Sequence, residues 1–452
     1  MKSAVVLSAV DGRWQKVRLT LQLPSMSKHT PLVAVLLAYL VIGSLFVMRV
    51  PAWQAPDEPA HYNYAAALVR GEWPVIEASD WDPALVPIAP DARNVPADRI
   101  HYEDHQPPLF YVLGVPVFAA TNGSLTALRL WSLLIGAVGV AACYGVVLSL
   151  FPGRTALAGA AAVFYALLPQ HLHIMASYNN DALSEALLAL TVLQAVRMFA
   201  KAPSRGQVLL LSLTAGLGMW TKAQAYLALP IGVLALLTAD SSALFSTRMK
   251  RAVQFGLVAI AIAAPLWLRN ISTYGGFDFL GLQAHNRAVT GQLTAAELIA
   301  KEGAGGYLRE AAQTTFQSFW GQFGWMSVPA GARIYQALLL FTLASAAAFK
   351  LWWWRGRTSL DVRQRGGMLL LASLYVLSLF AYVWYNAQFV QFQGRYLYTG
   401  LIPIALGAAL GWEWLARRSI LAQRWLWAAV LLVFVGLDLY MLLRVIVPGM
   451  GN

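Results

Sequence analysis

Pro51-Ala52-Trp53-Gln54-Ala55-Pro56-Asp57-Glu58-Pro59-Ala60-His61-Tyr62 follows directly on an apolar run, Pro31 to Val50, that is long enough at about twenty residues to cross a bilayer as a helix. Two adjacent carboxylates at the mouth of a spanning helix are costly unless they face water or a cavity. Asp57 and Glu58 are therefore functional candidates from the outset. The rest of the chain supplies the lipid setting. Of 452 residues, 58% are apolar and only 12% charged, too few charges to cover a soluble protein of this length.

The net charge of +12 does not point to nucleic acid, because Arg and Lys fall in short clusters between apolar runs, as in the cytoplasmic loops of a polytopic protein. A single cysteine, Cys143, lies within an apolar run, which excludes an internal disulfide and any cysteine-rich metal site. The first thirty residues are mixed and basic, and the apolar run after them exceeds a signal-peptide core, so it reads as an uncleaved anchor with a cytoplasmic amino end.

Apolar runs recur near residues 31–50, 128–150, 155–174, 182–200, 207–221, 223–239, 252–269, 333–354, 367–386, 397–415 and 425–446. The expected fold is all-α and polytopic, with about eleven transmembrane helices at ~20 residues per crossing. A shorter run, Pro107 to Ala120, is interrupted by Gly114 and Pro116 and reads as an interfacial helix on the outer leaflet. Charge supports that assignment. If 107–120 does not cross, the clusters at Arg197/Lys201/Arg205, Arg248/Lys250/Arg251, Arg355/Arg357/Arg363/Arg365 and Arg417/Arg418/Arg424 all fall inside.

The chain then divides into a cytoplasmic segment 1–30, a catalytic transmembrane module 31–269 that includes the extracytoplasmic loop 51–126, a second extracytoplasmic loop 270–332, and carboxy-terminal helices 333–452. The first loop is acidic, with Glu72, Asp80, Asp82, Asp91, Asp98, Glu103 and Asp104 among its residues. The second is Gly-rich and contains Trp320 and Trp325, whose aromatics are expected to anchor it at the interface. Loops this long in a compact membrane protein are usually functional.

On this topology the unusual polar residues converge on the outer face: Asp57 and Glu58, His105-Gln106-Pro107-Pro108, Asn179-Asn180-Asp181, Thr221-Lys222, Arg269-Asn270, and Gln391 to Tyr396. Acids can move a proton, cations can hold an anionic leaving group, and aromatics can hold a sugar or a lipid.

These elements, in this order, resemble the GT-C superfamily of polyprenyl-phosphate-sugar-dependent glycosyltransferases, in particular the bacterial members of the branch with protein O-mannosyltransferases and the lipid A aminoarabinose transferase. The resemblance rests on Asp57-Glu58-Pro-Ala-His61, His105-Gln-Pro-Pro-Leu-Phe-Tyr111, Ala127-Leu-Arg129-Leu, Asn180-Asp181-Ala-Leu, Trp220-Thr-Lys222 and Gln393-Gly-Arg395-Tyr396. It implies a large cavity at the outer face of a bacterial plasma membrane. There a sugar passes from a polyprenyl-phosphate carrier to a lipid, glycan or protein acceptor, with inversion at the anomeric carbon.

Asp57 matches the catalytic acid of that family and is expected to act as general base, with Glu58 beside it. As helix-entry chemistry, Asp-Glu-Pro is the plainer alternative for the same residues. Lys222, Arg395 and Arg269 are the candidates for holding the donor phosphate, whose negative charge grows as the glycosidic bond breaks; a snorkelling role is the plain alternative for Lys222. His61, His105, Gln106, Asp181 and Tyr396 are the substrate-binding candidates, and Asp181 could instead cap the helix over 182–200. No spacing of His, Cys or carboxylates calls for a metal; no cofactor is expected, although some relatives use a divalent ion. Without the soluble carboxy-terminal domain of several relatives, acceptor recognition is expected from loop 270–332 or from a partner protein. Two rivals fit the composition, a lipid-linked glycan polymerase or ligase and a lipid or small-molecule transporter or flippase. The gathering of polar groups at one surface favours the enzyme.

Overall fold

Every one of the eleven apolar runs is helical in the computed structural model, which describes residues 4–10, 13–19, 29–81 and 97–451. Asp82, Asp91 and most of segment 1–30 outside its two strands lie outside the described residues. In chain order a β-hairpin, β1 (Ala4–Val10) and β2 (Arg13–Leu19), precedes α1 (Thr30–Arg49) and α2 (Glu58–Val69). Then come α3 (Leu109–Ala120), α4 (Leu125–Leu150), α5 (Thr155–Ala166), α6 (Pro169–Met175), α7 (Asp181–Met198) and α8 (Arg205–Met219). These are followed by α9 (Ala228–Thr238), α10 (Phe245–Tyr274), α11 (Leu282–Ala288) and α12 (Ala295–Trp320). A two-residue ribbon, Gln322–Phe323 paired with Val328–Pro329, leads to α13 (Ala332–Gly356), α14 (Val362–Asn386), α15 (Leu401–Ala416) and α16 (Ile420–Tyr440).

Helix ends follow local chemistry. Ser124 caps α4, and reciprocal capping boxes close the starts of α8 (Ser204/Gln207), α12 (Thr294/Glu297) and α14 (Asp361/Gln364). The middle of the bundle is α5, whose Ala158-Gly-Ala-Ala-Ala162 stretch is fully buried. Such small residues let α4, α15 and α16 approach it closely. The outer faces of α1, α13 and α16 expose Leu37, Leu340 and Leu432, apolar surface suited to lipid.

Seven helices among the described residues are long and apolar enough to cross a membrane, or eight when the bent pair α5–α6 counts as one span. The expected eleven exceeds this by α7, α8 and the segment Ala223–Thr238. The reason is physical: α7 carries Asp181, Glu185 and Arg197, and the other two are too short. Residues 270–332 are largely helical rather than an open loop, with α12 kinked at Gly303. Trp320 also corrects the expectation of an interfacial anchor. It is 2% exposed and packs edge-on against Phe164 and Phe341 in the bundle core.

The hinge between spanning helix and outer segment is one buried ion pair. Arg129 on α4 donates from Nε to Glu58 Oε1 at 2.7 Å and from Nη2 to Oε2 at 2.6 Å. It also donates to the carbonyls of Val47, Val50 and Pro51, closing the carboxyl end of α1. Removing one partner of a buried pair strands the other charge, at a cost of about 3–5 kcal/mol. Arg129→Met should therefore lower the thermal midpoint in detergent strongly, and adding Glu58→Gln should recover part of the loss. Circular dichroism melts of the three proteins measure this.

Candidate active site

Asp57 is the N-cap residue of α2, yet its side chain makes no capping bond and its backbone is left-handed, φ 66°. A non-glycine residue pays for that conformation only where its surroundings hold it. Here the carboxylate is held by two donors: Arg395 Nη2 donates to Oδ2 at 2.6 Å and Tyr102 Oη to Oδ1 at 2.8 Å. The helix-entry reading of Asp57 is thereby displaced.

Arg395 is aimed by the turn before α15. Gly394 N donates to Ser318 Oγ at 2.7 Å and Tyr398 Oη to the carbonyl of Phe319 at 2.8 Å, pinning the turn to α12. A Cβ at Gly394 would overlap the Phe319 backbone, so the Gln-Gly-Arg order is a packing requirement. The guanidinium lies 5.4 Å from the Tyr396 ring. Because Arg395 comes from 333–452, the site is not confined to the 31–269 module.

A second acid–base pair stands beside the first. Lys222, in the turn between α8 and α9, donates from Nζ to Asp181 Oδ1 at 2.5 Å. Trp220 holds that turn, with its indole on the carbonyl of Ile262 and its own carbonyl accepting from Leu109 N. The four side chains are nearly closed off, at 17% (Asp57), 8% (Arg395), 13% (Lys222) and 10% (Asp181) exposure. Among the described residues these four side chains leave little accessible surface between them. A hollow of about 380 Å³ lies instead at the opposite end of α4, lined by Pro31, Arg154, Glu413 and Trp427.

Neutral groups complete the wall. His61 Nδ1 pairs with Tyr111 Oη at 2.8 Å, and Asn180 Nδ2 reaches Tyr111 Oη and Gln106 Oε1, both at 3.3 Å. Gln106 Nε2 donates to Glu103 Oε2 at 2.7 Å. Burial would raise the Asp57 pKa, but the adjacent Arg395 charge and the two donated bonds hold it down at about 2. Burial takes the His61 imidazole down to about 3 despite Asp57 nearby. Burial and the Asp57 charge push Glu103 up to about 8.

The remaining candidates separate. Glu58, expected beside Asp57 in catalysis, is fully buried on the other side of the chain. Besides Arg129 it accepts from Trp53 N and Tyr178 N, which leaves neither oxygen for a substrate. Arg269 does not join the pairs. Its Nη2 donates to the carbonyl of Pro74 at 2.5 Å and its guanidinium lies against Tyr274, so it clamps the outer segment. His105 is buried near the cluster, its ring 4.4 Å from that of His285. Among the described residues no three His, Cys, Asp or Glu side chains converge. Tyr102 and Glu103 are site residues that sequence reasoning did not select, and Asn180, quoted there only within a motif, joins them. The available signal was their adjacency to His105-Gln106 and Asp181.

A family model described as "Predicted membrane protein (DUF2142)" matches residues 90–407, more than half of the chain. The chain belongs to the DUF2142 family. Lys222, Asp181, Glu103 and Arg395 fall inside the matched DUF2142 region; Asp57 and His61 precede it. No curated protein sequence matches the chain. Two solved structures share its fold. One is the archaeal oligosaccharyltransferase AglB from Archaeoglobus fulgidus, in complex with an inhibitory peptide and a dolichol-phosphate, with TM-score 0.51 and 14% identity over 92% of this chain and 55% of that chain. The other is ArnT from Cupriavidus metallidurans in the apo state, with TM-score 0.52 and 15% identity over 94% of this chain and 74% of that chain. This DUF2142 protein spans about half the length of AglB. The likeness is one of fold.

With its pKa near 3, His61 should remain uncharged well below the usual histidine range. Nitrogen-15 NMR of histidine-labelled protein at about pH 5 should show neutral imidazole signals, one of which disappears in His61→Phe.

Proposed function

We propose that this protein is an integral-membrane glycosyltransferase that moves a sugar from a polyprenyl-phosphate carrier to an extracytoplasmic acceptor, with inversion. One observation carries the reading. Arg395 uses only Nη2, on Asp57, while its Nε and Nη1 are buried without partners among the described residues. A half-satisfied buried guanidinium is suited to a bidentate anion such as phosphate. Lys222, paired with Asp181 close by, adds a second cation. The dolichol-phosphate bound by AglB, which has the same fold, supports a carrier of this class.

The two ion pairs are the resting arrangement in this scheme. A carrier phosphate competes with Asp57 for Arg395 and with Asp181 for Lys222. Freed from Arg395, Asp57 loses the charge that holds its pKa near 2 and becomes a stronger base. The acceptor hydroxyl oxygen then attacks the anomeric carbon and its proton passes to Asp57. The bond from that carbon to the carrier oxygen breaks, and its electron pair stays on the phosphate held by Arg395 and Lys222. His61, His105, Gln106 and Tyr396 line the sugar and acceptor side. No cofactor enters this scheme.

The topology that goes with it has eleven crossings, the amino end cytoplasmic and the site outside a bacterial plasma membrane. The kinship is to the O-mannosyltransferase and aminoarabinose transferase branch. Segment 270–332, or a partner protein, would meet the lipid, glycan or protein acceptor.

Purified protein incubated with a panel of radiolabelled polyprenyl-phosphate sugars and membrane lipid extract should consume at least one donor; consumption of none by folded protein overturns the reading. Asp57→Asn should lower kcat by about 10²-fold or more, and Arg395→Ala by a similar factor, with melts confirming folding. A ligase or transporter would lose little with Asp57→Asn. EDTA should leave turnover unchanged.

A further inference from the structure

Asp57 cannot keep the proton it takes. When the carrier phosphate departs and Arg395 returns, the resting pair is restored only if that proton has gone elsewhere. The turn at Tyr102–Gln106 offers the destination. Tyr102 reaches Asp57 through its hydroxyl, and the next residue, the half-buried Glu103, is tied to the same cluster through Gln106, whose amide oxygen accepts from Asn180. Its Oε2 accepts from Gln106 Nε2 at 2.7 Å, and Gln106 N donates to the Glu103 carbonyl at 2.9 Å, so the acid is held in place by its own turn.

We propose that Glu103 is the second proton-carrying carboxylate of the site, taking from Asp57 the proton of the acceptor hydroxyl and releasing it to water. This rests on the transferase reading above. The proton leaves the acceptor oxygen for an Asp57 oxygen, passes through water to a Glu103 oxygen, and then goes to bulk solvent. No electrons change hands beyond the glycosyl transfer itself.

The electrostatics give the direction of travel. Asp57 paired with Arg395 sits near 2 and Glu103 near 8, so the proton moves downhill from the first to the second. Burial is the larger cause of the Glu103 shift and the Asp57 charge the next; Lys222, Arg395 and the Gln106 bond oppose them. The ionisable side chains facing Glu103 from neighbouring elements also include Tyr102 in its own turn, Tyr111 on α3 and Tyr385 on α14.

Glu103 must be deprotonated to receive, and its raised pKa means the ready fraction grows as pH rises through about 8. Wild-type kcat should accordingly climb about tenfold per pH unit below that point. Glu103→Gln should lower kcat roughly 10–100-fold at about pH 8.5 and abolish the climb, whereas Glu103→Asp should retain a climb at a shifted pH. A readout without turnover accompanies this. Infrared difference titration of the purified protein should show a carboxylic-acid carbonyl band that disappears near pH 8 and is missing in Glu103→Gln.

A missing band in wild type overturns the proposal. So does a Glu103→Gln enzyme that keeps the wild-type pH profile, even with the band present. Failure of folded wild type to consume any donor overturns the transferase reading and the relay with it; the infrared band then shows separately whether Glu103 carries the proton.

Discussion

The Glu58–Arg129 pair is the constraint on which the region around the candidate site depends. One guanidinium closes the carboxyl end of α1 and fastens the start of α2 to α4, while the carboxylate also receives the backbone N–H of Trp53 and Tyr178. With Glu58 locked inward by four side-chain and backbone donors, its neighbour has little freedom left. The left-handed backbone at Asp57 is the local consequence, because only that turn sends the second carboxylate to the opposite side. A structural acid and a chemical acid thus share one dipeptide, and each orientation requires the other.

Much of the site was legible from residue order. Asp57, Asp181, Lys222 and Arg395 are far apart in sequence, yet each sits at a helix end or in a short turn, where an ionisable group in an apolar chain has few structural uses. What was not legible is the partner each one takes. Glu58 and Asp57 look equivalent as text; which of them faces Arg129 is decided by backbone torsion. Arg129 and Arg269, both near helix ends, became clamps because carbonyls of Val50 and Pro74 lie within reach. Glu103 was one acid among many in an acidic loop, and only the packing of its turn against Asp57 distinguishes it.

The helices were legible as apolar runs, and seven or eight of them among the described residues are long and apolar enough to cross a membrane. Periodicity cannot tell a spanning helix from a helix that is short or polar at its start, and α7 is both helical and charged where it meets the site. The same ambiguity applied to Trp320. An aromatic in a long outer segment reads as a membrane anchor until the kinked α12 carries it into the core against Phe164 and Phe341.

The two ion pairs also explain why the cluster is closed in the absence of a ligand. Bare cations buried beside a bilayer would be costly, and so would bare carboxylates; pairing them lowers both costs at once. That arrangement stores the binding groups and the base in a single neutralised unit. On the transferase reading proposed above, an anion that enters separates them and so releases Asp57 as the leaving group is held. Charge neutrality at rest and base strength on binding are then two consequences of one geometry. Neither would hold if Arg395 were anchored anywhere but opposite Asp57.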